Sequence, residues 1–250
     1  MMRLELPFPN SPIAEAILDI RCNLPPGTEM STLAEVHERI KDRFPTRQEQ
    51  NKGVGNFPLN SDDQAEATTT SGKALGYQCA TLDGAKFLQV QFDGFTLNKL
   101  KPYKNWDAFI TEAKTLWSIY TEITNSINVT RISIRYINRI EIPIPIKELK
   151  DWLLTCPDIA PGCPQEMAGF FMRVVLPDPT RQNTGILTET VEAAPSHLRY
   201  LPIIFDLDVF RDAVFAPGDP DMWDAFVSLR ETRDSIFFNS ITDKTRDLFR

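Results

Sequence analysis

Four side chains able to do chemistry alternate along one run of the chain: Arg131, Ser133, Arg135 and Arg139, with Glu141 closing the series. A strand sends every second side chain to one face, so these project together while Ile132, Ile134, Tyr136, Ile140 and Ile142 project the other way. Guanidinium groups at that spacing can clamp a carboxylate or phosphate through paired hydrogen bonds. They can equally be held by carboxylates of a neighbouring strand, and a second alternating run at 13–22 offers Glu15 and Asp19. Asn98-Lys99-Leu100-Lys101-Pro102-Tyr103 sets two lysines and a tyrosine just before a helix-like segment, where free backbone N–H groups favour anions. Asp206 and Asp208 lie two apart on one strand face, with Asp93 at the matching place earlier in the chain. Such a pair can hold a divalent cation or do acid–base work, or simply cap a neighbouring arginine. The candidate ligand- or partner-binding residues are therefore Arg131, Arg135, Tyr136, Asn138, Arg139, Asn98, Lys99, Lys101 and Tyr103.

Catalytic constellations are not evident. The chain has no G-x-S-x-G elbow, no GxxxxGK and no GxGxxG. Of its two histidines, His37 falls near the apolar stripe of a helix and reads as packed, and His197 sits in a loop-like Ala-Pro-Ser-His. Cys22, Cys79, Cys156 and Cys163 lie far apart with no C-x-x-C, so a Cys/His zinc site needs long-range convergence. Cys156 and Cys163 flank a Pro/Gly loop and can bridge in an oxidising compartment. The opening MMRLELPFPNSP shows no secretory pattern, which leads to the expectation of reduced thiols and a cytoplasmic protein. No catalytic residue, metal or cofactor is expected.

With 250 residues, 42% of them hydrophobic, the chain can bury a substantial core. Its net charge of -7 and pI near 5.0 oppose a broad nucleic-acid or anionic-membrane footprint, either of which needs clustered Lys and Arg. No 18-residue apolar run exists to span a membrane.

These residues must be positioned by a repeated unit. Trp-Asp-Ala-Phe occurs at 106–109 and again at 223–226, each copy opening a helix-like segment after strand-like runs. Residues 87–97 fall against 201–210, and 13–26 against about 130–146. The first half reads as strand 13–22, helix 30–43 capped by Ser31 or Thr32, polar loop 46–73, strands 74–82 and 86–92 about a type I′ turn at Asp83-Gly84, and helix 105–124. The second reads as strand 129–142, short helix 146–154, strands 168–176, 184–193 and 201–210, and helix 221–240 opened by Asp219-Pro220-Asp221. The C-terminal 241–250 either prolongs this helix or docks as a tail. The expected class is α+β: duplicated strand-helix-strands-helix halves, 1–125 and 126–250, forming one pseudo-symmetric domain. Its mostly antiparallel curved sheet has two long helices packed on one face and brings 13–22 beside 129–142. That order of elements is shared by TATA-box-binding-like and helix-grip folds.

Four ordered motifs also carry a family resemblance over the whole chain. They are Pro7-Phe8 with Asn10-Ser-Pro-Ile-Ala-Glu15, Leu97-Asn-Lys-Leu-Lys-Pro-Tyr103 followed by Trp106, Arg135-Tyr-Ile-Asn-Arg139, and Ile241-Thr-Asp-Lys244. Together they resemble a family of sporadically distributed prokaryotic proteins of about this length. The resemblance implies a bacterial or archaeal cytoplasmic protein of an accessory or mobile module, of defence or toxin–antitoxin type, and assigns no catalytic residues. Two functions follow. One is a non-enzymatic binding protein whose partner is another protein, with homodimerisation through free sheet edges. The alternative is a small polar or anionic ligand held in a helix-over-sheet cavity by Arg135, Tyr136, Asn138 and Arg139.

Overall fold

The computed structural model of the chain describes residues 8–51, 74–193 and 199–250. Strand β1 (Ile13–Asn23) leads to helix α1 (Met30–Ile40), strands β2 (Thr46–Asn51), β3 (Ala74–Ala80), β4 (Lys86–Gln91) and β5 (Gly94–Leu100), and helix α2 (Trp106–Thr124). Strand β6 (Asn128–Pro143) is followed by β7 (Phe171–Asp178), β8 (Asn183–Val191), β9 (Tyr200–Phe215), α3 (Pro220–Ser240) and the short α4 (Asp243–Asp247). Among the described residues the strands form one nine-stranded antiparallel sheet in the order 2-3-4-5-1-6-9-8-7.

The alternation of β1 explains why the sheet closes at its centre. Ala16, Leu18, Ile20 and Cys22 all point to the helix side and are buried, and across the strand pair they meet Tyr136, Ile134, Ile132 and Val129. One apolar surface thus runs unbroken from the first half into the second, so that separating β1 from β6 would expose core on both. Onto that surface α2 lays Phe109, Ala113, Leu116, Trp117 and Tyr120, and α3 lays Met222, Phe226, Leu229 and Phe237. The two helices lie antiparallel. The Trp117 indole N–H donates to the Pro217 carbonyl at 2.8 Å, Lys114 sits 5.3 Å from the Trp223 ring, and Arg230 sits 5.6 Å from the Trp106 ring.

Local signals explain the helix ends. Asn105 accepts from the Ala108 N–H and Asp219 from the Asp221 N–H, each satisfying an otherwise orphaned donor. The cap of α1 differs from expectation: Glu29 precedes it and accepts from none of the helix N–H groups, and its carboxylate accepts instead from the Ser31 hydroxyl. The 146–154 segment forms only a 3₁₀ turn at Leu149–Asp151, since Pro143 and Pro145 keep its entry extended. Residues 46–51, expected as loop, form edge strand β2. Residues 94–100 form β5, in which Phe95 to Asn98 are all buried although apolar and polar types alternate. The rest of the expected polar loop lies outside the described residues, as does His197.

The Asp83-Gly84 corner is a hairpin but not a type I′ turn. Only Gly84 has positive φ, at +64°, while Asp83 accepts from the Thr81 hydroxyl and the Ala85 N–H. A type I turn followed by a left-handed glycine fits that geometry. The C-terminal segment docks. Ile241 bridges Leu153, the Thr245 hydroxyl donates to the Trp152 carbonyl at 2.6 Å, and Phe249 is buried.

Leu18 sits fully buried opposite Ile134 at the junction. Leu18→Ala is expected to cost about 3–5 kcal/mol in urea unfolding, through lost transfer energy plus the cavity left behind. Ile17→Ala, one residue away on the face without helices, is expected to cost less than about half as much.

Candidate functional site

Alternation sends the odd-numbered residues of β1, and those of β6 from Arg131 onward, to the face that none of the described helices covers. Registers place side chains there in rows across the strands. One row holds Asn98, Ile17, Arg135, Asp208 and Ile186, and the next holds Thr96, Asp19, Ser133, Phe210 and Thr184. Toward β2 the face becomes a field of amides, in which Gln50 donates to Gln78 and Gln91 donates to Gln50.

Arg131, Arg135 and Arg139 all project to this face, and each has carboxylate partners. Arg135 forms a bidentate pair with Asp206, its Nε at 2.8 Å, and that pairing raises the guanidinium pKa further. Arg139 is held by Glu192 at 2.6 Å and by Glu141. Arg131 reaches Asp19, Asp208 and Asp212 at 3.7, 3.5 and 3.9 Å and lies over the Phe210 ring. Thus the first-half carboxylate Asp19 pairs across the junction, while Glu15 instead accepts from Asn98 at 2.6 Å. Of the Asp206–Asp208 pair, the first is taken by Arg135, and burial pushes the second above the usual carboxylate range despite Arg131 and Arg135.

Tyr136 and Asn138 are on the other side. The sheet separates them from Arg135 and Arg139, so one ligand between helix and sheet cannot meet all four; the expected grouping is corrected by strand alternation. Tyr136 is fully buried and Asn138 donates to the Phe205 carbonyl at 3.1 Å. The 98–103 run is divided too: Asn98 faces the open side, Lys99 stands opposite Ala16 on the helix side, and Lys101 is exposed. Only Tyr103 joins another candidate, its hydroxyl 2.9 Å from that of Tyr136.

Around these tyrosines lies a cluster that sequence reasoning missed. The Arg233 guanidinium stacks 4.0 Å from the Tyr136 ring, and Asp234 lies 2.9 Å from Arg233 and 3.7 Å from Arg230. Burial raises the Asp234 pKa, opposed by both arginines. The Nε atoms of Arg230 and Arg233 are buried with no hydrogen-bond partner among the described residues. A surface cleft of about 400 Å³ lined by Asp42, Arg43, Pro45, Thr81, Leu82, Asp83 and Lys86 contains none of the candidate residues.

Glu189 was also missed. It alternates in phase with Leu187 on β8, faces the core, is completely buried, and neither carboxylate oxygen has a partner among the described residues. That phase, an acid between Leu187 and Val191 on the core side of the strand, is a signal the sequence did carry. Desolvation lifts its pKa from 4.5 to about 8.

No family model, curated protein or solved structure matches the chain.

Because Glu189 keeps its proton in the folded state up to about pH 8 while the unfolded chain loses it near 4.5, stability is expected to fall as pH rises between those values. Glu189→Gln should flatten that slope and make the variant the more stable protein at pH 8. Urea midpoints at several pH values check this.

Proposed function

We propose that the protein is a non-enzymatic interaction protein that holds another polypeptide on the helix-free face of its sheet, as an accessory component of a mobile prokaryotic module of defence or toxin–antitoxin type. One observation carries the reading. Nine strands present a whole face that no described helix covers, and its arginines are already neutralised by carboxylates in place of waiting as a free anion clamp. Charge of -7 opposes nucleic acid as the occupant. The two halves, each a central strand, further antiparallel strands and a closing long helix, with α1 of the first half matched by only a 3₁₀ turn in the second, are read as a duplication in the manner of TATA-box-binding-like folds. The reciprocal Trp106–Arg230 and Trp223–Lys114 contacts support that. The edges β2 and β7 offer a homodimer its pairing surface.

A second reading rests on Arg230 and Arg233. Two guanidiniums share one carboxylate beside two tyrosine hydroxyls, a donor-rich seam suited to a small anionic ligand.

Co-expression with the genomic neighbours, followed by a zero-length Lys-to-carboxylate cross-linker and native mass spectrometry, separates the two. The first reading expects cross-links from Asp212, Glu141 and Glu192 to a co-purified polypeptide. A lone protein retaining a small-molecule mass that disappears in Arg233→Gln would contradict it and favour the second.

A further inference from the structure

Resting on the interaction reading, we infer that the occupant of the open face is a basic segment of polypeptide, lying across β5, β1, β6 and β9 with an apolar residue toward β7. The electrostatics at the junction are unbalanced. Arg21 holds Asp19 at 2.8 Å, but among the described residues Asp208 and Asp212 are reached only by Arg131, at 3.5 and 3.9 Å, and Glu15 has no ion pair, only the amide of Asn98. Burial holds Asp208 above the ordinary carboxylate range, although Arg131 and Arg135 oppose the rise.

A second, independent observation points to the ligand's chemistry. Asn98 is only 8% exposed, and its Oδ1 is buried with no donor among the described residues. Its orientation is fixed because Nδ2 must face the Glu15 carboxylate, which leaves the carbonyl oxygen as the bare atom. Asp208 Oδ1 is likewise buried and without a donor. Both bare atoms accept and cannot donate, so a hydrogen-bond donor completes them and a carboxylate does not; beside Glu15, Asp208 and Asp212 a charged donor, an ammonium or guanidinium, is favoured over a neutral one.

The spacing suits a chain. Asn98 and Asp208 stand in one row, three strand spacings or about 14 Å apart, which an extended segment of about four or five residues covers. That row continues through Ile186 to Val175, which is 49% exposed, with Phe171 and Arg173 exposed on the same strand face, so the β7 end is apolar and already carries a cation of its own. Cationic side chains at the two acceptors and an apolar one at the β7 end match the face from centre to edge.

Fluorescence anisotropy with labelled decapeptides of alternating Lys–Val, Gln–Val and Glu–Val tests this on the full chain. The Lys–Val peptide should bind at least tenfold more tightly than the other two and weaken as salt rises from about 0.05 to 0.5 M. Asp208→Asn/Asp212→Asn, which leaves the Arg135–Asp206 pair intact, should cost at least tenfold in affinity. Glu35→Gln/Asp224→Asn, at exposed sites on α1 and α3, should stay within twofold. Thermal melting confirms that both variants are folded, and the single Asp212→Asn, at a largely exposed site, serves if the double variant is not. If the three peptides bind alike, the basic partner is overturned while the interaction reading stands. Equal weakening by the helix-side pair would reduce the binding to general attraction for an acidic chain, and would overturn it too. Absence of any peptide binding overturns it as well, leaving the interaction reading to the cross-linking experiment.

Discussion

The structure depends on the antiparallel pairing of β1 with β6. Each half brings its own strands and long helix, but neither has a complete core alone, because the apolar stripe of β1 continues directly into that of β6 through pairs such as Leu18 with Ile134 and Ile20 with Ile132. Burial at this seam removes the most apolar surface from water where the two halves meet, and hydrophobic burial is the dominant favourable term in folding. The backbone hydrogen bonds of the ladder then fix the register, since a slip of one residue would turn Asp19 and Arg135 into the core.

That constraint also distributes the chemistry. Side chains one residue apart belong to different surfaces, so Arg135 joins Asp206 on the open face while Tyr136 joins Tyr103 and Arg233 beneath the helices. The open face balances its arginines with carboxylates and retains an excess of the latter. Beneath the helices the imbalance is reversed, with two arginines sharing Asp234. Strand periodicity sets the charge of the open face, while the arginines beneath the helices come from α3.

Much of this was legible in the sequence wherever periodicity was strong. The alternation of 13–22 and 129–142, the repeated Trp-Asp-Ala-Phe, and the Asp219-Pro220 helix start each have a local physical cause that survives in the fold. What escaped depends on distant contacts. β5 reads as unbroken burial because Thr96 and Asn98 are covered by neighbours on the open face, and β2 is polar throughout because an edge strand needs no core face. Arg230 and Arg233 look like ordinary surface residues of a helix until α2 lies alongside and supplies Trp106, and β6 supplies Tyr136. The arginine ladder was visible as a row; that its partners would be Asp206 and Glu192 of the same half, and not mainly Glu15 and Asp19, depended on which strand became the second neighbour of β6.

Native-state hydrogen exchange tests the β1–β6 junction most directly. If that pairing makes one cooperative unit of the two halves, the amides of Leu18, Ile20, Ile132 and Ile134 exchange only through global unfolding. The protected amides of β4 and β8, on either side, then share that same opening free energy. Two distinct opening energies, one for each half, with the junction amides exchanging at the lower, would contradict it.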